Sequence, residues 1–310
     1  MQLSRARRLS SERMMAHGAC FESVALNITS RARDWISFAV GISSSSLPDV
    51  ATPSFRVVSH SWEPGGPNAS SLATLSYYQT FLNRQVELKV GYLANAVEYW
   101  GPFLAGNLSS GIFGPSGSIP VEAGLSAWAW TKPGINIKLN GPNGLYNKFG
   151  VQVASNPDGP LAEKTANPTG LNWSTPNSGI LVINEFGYRK EATPGQLATW
   201  VRAAPIVNTS RYIDFEFGGR GTGNYAAYVL ADQQFVQLAP VAGQAARGVY
   251  AGVTAMYAPP EFDRFSQYYE LRLYGIGLLP SRPRDMIASF TPSCSSIRNC
   301  TRPKPIWTAR

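Results

Sequence analysis

Histidine and cysteine are nearly missing from this sequence: His17 and His60 are its two histidines, and Cys20, Cys294 and Cys300 its three cysteines, among 310 residues. A nucleophile triad built on histidine, or a zinc site of Cys and His ligands, has almost no material here, and no CxxC pair occurs. No metal and no cofactor is expected, and His60 reads as a strand or surface residue rather than a base. Long apolar runs are also lacking, none approaching the about 20 residues that a spanning helix needs. That excludes a helical membrane protein but not a β-barrel, whose alternating strands never produce such a run. Residues 1–20 start basic, as a signal peptide does, but no apolar h-region follows.

Charge is scarce at 15%, and the net excess of +8 sits at the two ends. Residues 1–34 hold six Arg against three acids and residues 291–310 hold four Lys and Arg against none, leaving 17 basic and 16 acidic residues between 35 and 290. A nucleic-acid groove needs its cations inside the fold, so no nucleic-acid partner is expected. Aromatics at 12%, with 29 Gly and 23 Pro, favour short strands and turns over long helices, which makes an all-β chain the expectation. Six N-x-S/T sequons, from Asn27 to Asn299, read as by-products of loops rich in Asn and Ser.

What the chain does have is alternation. In residues 72–93 the second half places Val86, Leu88, Val90 and Tyr92 on one face and Gln85, Glu87, Lys89 and Gly91 on the other, after a two-residue corner at Asn83-Arg84. A face carrying both charge signs suits water and not a sandwich core. Further strands are expected at 52–60, 122–131, 135–139, 145–155, 179–190, 196–203, 211–217, 225–238, 248–257, 268–278 and 285–290. The first five connections after residue 72 run short, long, short, long, short, the arrangement of a meander with tight turns at one end and long loops at the other, and this sorting fades in the second half. Residues 1–50 show no clean periodicity and are expected to be a disordered or mis-framed segment, 51–290 the barrel region, and 291–310 an atypical tail.

Two sharper motifs fail on context. Gly221-Thr-Gly223-Asn-Tyr-Ala226 fits a dinucleotide fingerprint, but it precedes an alternating strand instead of a helix. Glu185, Asp214, Glu216 and Glu270 include the material for a glycosidase acid/base pair, but they are spread over separate strands and balanced by Lys89, Arg189 and Arg272.

Five segments in order carry a resemblance: SYYQTFLNRQVELKVGYL before a long aromatic loop, NSGILVINEFGYRK with PGQL after it, GNYAAYVLADQQFVQL, RGVYAGVTAMYAPPEFDRFSQYYELRLYGIGL, and SRPRD. Over about residues 72–290 the chain resembles the carbohydrate-selective porins of the OprB type, from Gram-negative outer membranes. The resemblance implies a transmembrane antiparallel up-and-down β-barrel of sixteen strands, of which this chain offers ten to twelve candidates, in an outer membrane lipid environment. It implies a channel and not an enzyme, passing monosaccharides such as glucose by passive diffusion, with mono- or small oligosaccharides as partners and a monomeric or homo-oligomeric state. On that reading Glu87, Lys89, Glu185, Arg189, Asp214, Glu216, Glu270 and Arg272 line the sugar path, hydrogen-bonding hydroxyls in place of water. Trp100, Phe103 and Phe113 of the long loop either fold inward as a constriction or pack the loop and interfacial girdle. Two other readings use the same residues: a soluble all-β protein that binds or hydrolyses carbohydrate, and an incomplete porin reading frame without a working channel.

Overall fold

A computed structural model describes residues 23–26, 37–41, 52–60, 69–99, 118–127, 130–241, 244–283 and 285–296. Thirteen strands run through them in one antiparallel meander, each paired with the next. The first three are β1 (Ser23–Leu26), β2 (Ser37–Gly41) and β3 (Thr52–His60), followed by β4 (Ala69–Phe81) and β5 (Val86–Leu93). After a long connection come β6 (Lys132–Asn140) and β7 (Leu145–Val153), and after a second one β8 (Ile180–Lys190). The series closes with β9 (Thr199–Ile213), β10 (Arg220–Gln237), β11 (Gly248–Tyr257), β12 (Phe265–Ile276) and β13 (Met286–Ser296).

The up-and-down all-β class and the loop order agree with the sequence reading, and several local expectations are corrected. The hairpin corner is a four-residue turn, Leu82–Gln85, not two residues. Its chain reverses through three successive left-handed residues, Leu82, Asn83 and Arg84, of which only Asn is at ease there. The candidates 196–203 and 211–217 are not two strands. They join in β9, which runs through Pro205 opposite Ala227 and through Asn208-Thr209-Ser210. Those three turn-prone residues stay in the strand because their side chains are used: Asn208 Nδ2 donates to the Ala123 carbonyl at 2.8 Å, Thr209 Oγ1 accepts from Ile180 N at 2.9 Å, and Ser210 Oγ donates to Asn208 Oδ1 at 2.7 Å. Gly221-Thr-Gly223 lies in β10, where the pairing slips between Thr222 and Asn224, so the motif marks a bulge and no phosphate loop.

Segment 122–131 is likewise not a strand. Its residues belong to the long β5–β6 connection, which holds two short helices, α1 (Asn95–Glu98) and α2 (Ser118–Glu122). β1 and β2 lie inside the segment that showed no periodicity, β1 paired with β2 and β2 with β3, and β13 extends beyond residue 290. No β1–β13 pairing occurs among the described residues.

Polarity across the sheet is inverted relative to a soluble globule. Along β9, Arg202, Ala204, Ile206, Asn208, Ser210 and Tyr212 are buried while Val201, Val207 and Ile213 are exposed. Along β8, Glu185 is 0% exposed beside Phe186 at 58%, and along β12 Arg272 is 2% exposed beside Leu271 at 62%. The buried face is concave, since side chains from strands two apart meet on it, as Tyr228 of β10 and Glu185 of β8 do. Part of the β5–β6 connection folds into this concavity. Ala96, Tyr99, Ile119, Ala123, Leu125 and Ala127 pack there against Leu181, Ile183, Ala204, Ile206, Ala226 and Leu230. This apolar plug occupies the end of the sheet where the long loops lie, and leaves the charged half of the inner face toward the short turns.

Candidate pore lining

The charged half is built by the inward parity of β5 to β12. Glu87 accepts from Tyr78 Oη at 2.7 Å and Asn140 Nδ2 at 2.6 Å, and pairs with Lys138 at 3.2 Å. Lys89 pairs with Glu98 of α1, tying the inward segment to the wall. Burial pushes the Glu98 carboxyl up, but the ammonium groups of Lys89 and Lys148 outweigh it and leave it below its ordinary value. A polar chain continues behind: Tyr99 Oη donates to Asn136 Oδ1 at 3.2 Å, Asn136 Nδ2 to Asn95 Oδ1 at 2.7 Å, and Asn95 Nδ2 to Gln152 Oε1 at 2.8 Å. Gly150 makes this possible, because a Cβ there would stand 2.3 Å from Tyr99 Oη.

Glu185 anchors the centre of the wall. Its oxygens accept from Tyr146 Oη at 3.0 Å and Tyr228 Oη at 2.5 Å, with Lys148 Nζ at 3.8 Å and Arg202 Nη1 at 3.9 Å. Arg202 lies over the Trp200 ring at 3.7 Å, and Arg189 over the same ring at 4.6 Å. Fully buried, Glu185 meets the tyrosines and cations around it and not the lumen. A second cluster sits on β10–β12: Arg272 bonds Asp232 at 3.1 Å and Glu270 at 2.6 Å, and Tyr274 Oη donates to Asp232 at 3.1 Å. Arg272 reaches Asp232 across β11 only because residue 252 is glycine, whose Cβ would lie 2.3 Å from Asp232 Oδ1.

Of the expected lining residues, Glu87, Lys89, Glu185, Glu270 and Arg272 lie on the inner face, and Arg189 lies at its short-turn rim, paired with Glu191 at 2.6 Å. Asp214 and Glu216 do not stand on a strand. Both fall in the β9–β10 turn, where Asp214 Oδ1 accepts from the amides of Glu216 and Phe217, each at 2.8 Å. Trp100, Phe103 and Phe113 lie outside the described residues. Sequence reasoning missed Lys138, Lys148, Arg202, Asp232, Tyr146 and Trp200. Register carried from Glu87 and Lys89 finds part of this set, since Glu87 stands opposite Lys138 and Lys138 opposite Lys148.

A concave antiparallel meander with an apolar outer face and charged, hydrogen-bonded inner residues is the wall of a porin-type β-barrel. The family model of the carbohydrate-selective porins, OprB family, matches residues 41–291, and the chain belongs to that family. Among solved structures, the high-pH structure of Pseudomonas putida OprB is similar with a TM-score of 0.67 at 14% identity, covering 84% of this chain and 68% of that one. The low-pH structure of the same protein gives a TM-score of 0.50 at 11% identity, covering 84% and 69%. These likenesses concern the fold. No curated protein matches the chain.

Proposed function

We propose that the chain forms the wall of a water-filled path in the bacterial outer membrane for passive diffusion of neutral sugars, monosaccharides such as glucose in the first place. Lipid lies against the outer face, the short turns face the periplasm and the long loops the exterior. The observation that carries the reading is the inversion of polarity: Phe186, Leu271 and Leu273 are exposed while Glu185, Arg202 and Arg272 are buried. In water such an arrangement is unfavourable on both faces; in lipid around a wet lumen it is favourable on both. Acids and cations alternate along the wall, as in Glu87–Lys138 and Asp232–Arg272, so hydroxyls find both acceptors and donors while no single charge sign dominates.

Swelling of proteoliposomes in isosmotic glucose tests this. Vesicles carrying the refolded chain should swell faster than protein-free vesicles, and faster in glucose than in a trisaccharide. Swelling equal to that of protein-free vesicles would refute the channel.

A further inference from the structure

Near the short-turn mouth the inner wall holds a cavity of about 270 Å³, with Lys138, Tyr146, Lys148, Arg189, Glu191 and Trp200 among its lining residues. It has room for several waters, or for one sugar ring in their place. Three cations face it and one carboxylate. The neighbouring acids are already engaged: Glu185 by Tyr146 and Tyr228, Glu87 by Tyr78, Asn140 and Lys138. Glu191 is the weakest partner in the group, because its pair with Arg189 is exposed on both sides, 44% and 66%, and solvent screens such pairs. Arg189 carries five N–H donors in a fork shaped for a carboxylate, and Lys138, at 33% exposure, still presents its ammonium to the cavity.

We propose that this cavity is a subsite for a pyranose bearing a negative charge, with the anion taken by Arg189 and Lys138 and the ring hydroxyls by Lys148 and Asn140. The proposal rests on the reading of the chain as a sugar channel and names a substrate class for it beyond neutral sugars. An incoming carboxylate replaces Glu191 on Arg189 and meets Lys138 as well, whereas a neutral sugar leaves that pair standing and gains hydroxyl contacts alone.

Single-channel current through the full refolded chain in a planar bilayer distinguishes the two levels of the claim, with D-glucuronate or D-glucose added on the short-turn side. Glucuronate should half-block the current at a concentration about tenfold below that of glucose, the scale of one charge-assisted contact. The double variant Arg189→Gln/Lys138→Gln, both partly exposed positions, should bring the ratio close to one by raising the glucuronate concentration needed far more than that of glucose. Equal block by both sugars in the native chain, or a preference that survives the double variant, overturns the subsite and spares the channel. If no current appears at all, calorimetric titration of glucuronate into the micelle-refolded chain decides: absence of heat overturns the subsite as well, and binding lost in the double variant upholds it.

Discussion

Asp263, in the β11–β12 connection, is fully buried. Its Oδ2 accepts from Asn224 Nδ2 at 2.8 Å, and its Oδ1 has no partner among the described residues. The ionisable groups around it among the described residues are Glu122 of α2, Tyr212 of β9 and the adjoining Arg264, and no cation of these residues pairs with it. Burial lifts its carboxyl to about 8, with Asn224 pulling down and Glu122 pushing further up, against 3.8 for the ordinary group. An acid whose folded value is raised binds more protons folded than unfolded, so its effect on stability is harmless below about 4 and grows steadily worse up to about 8. Asp263→Asn should therefore match the native chain in acid and exceed it in resistance to guanidinium at pH 9, measured in micelles. Parallel pH dependence in the two proteins would contradict this. The same residue scale explains why roles were harder to read than strands. Glu185 reads as a lumen residue from its parity, but whether it meets solute or other side chains depends on Tyr146 and Tyr228, which come from strands whose register no local pattern reveals.

At the scale of elements, the sequence pattern located some strands to the residue, as with β3 and β11. It failed where a strand contains turn-prone residues with tertiary partners, as β9 does at Asn208-Thr209-Ser210. It failed also in 122–131, where described small and apolar residues serve a plug and not a sheet: Ala123, Leu125 and Ala127 are buried against the wall without joining it. The alternation has an energetic consequence that can be measured strand by strand. Leu271, between the inward pair Glu270 and Arg272, points outward. Leu271→Arg should cost about 2–4 kcal/mol in folding into lipid vesicles if the site lies near the bilayer midplane. A soluble sheet tolerates the same change at an exposed position with almost no loss, so a cost near zero would argue against lipid on that face.

For the whole molecule, one antiparallel meander of thirteen strands runs from β1 to β13 with its two outer strands unpaired with each other among the described residues. Lipid offers no hydrogen bonds, and each unpaired backbone group there costs several kcal/mol, so those edges must find partners before the sheet spans a membrane. Which face meets water can be tested on β5 of the β4–β5 hairpin and on its neighbour β6. With Cys20, Cys294 and Cys300 replaced by serine, single cysteines placed at 87, 89 and 138 face inward, and at 88, 90 and 139 outward. In refolded protein in a planar bilayer, a charged water-soluble thiol reagent should react at 87, 89 and 138 and step the current down, and leave 88, 90 and 139 untouched. Reaction at both sets alike, or at the outward set alone, would contradict the account of an apolar wall around a polar path.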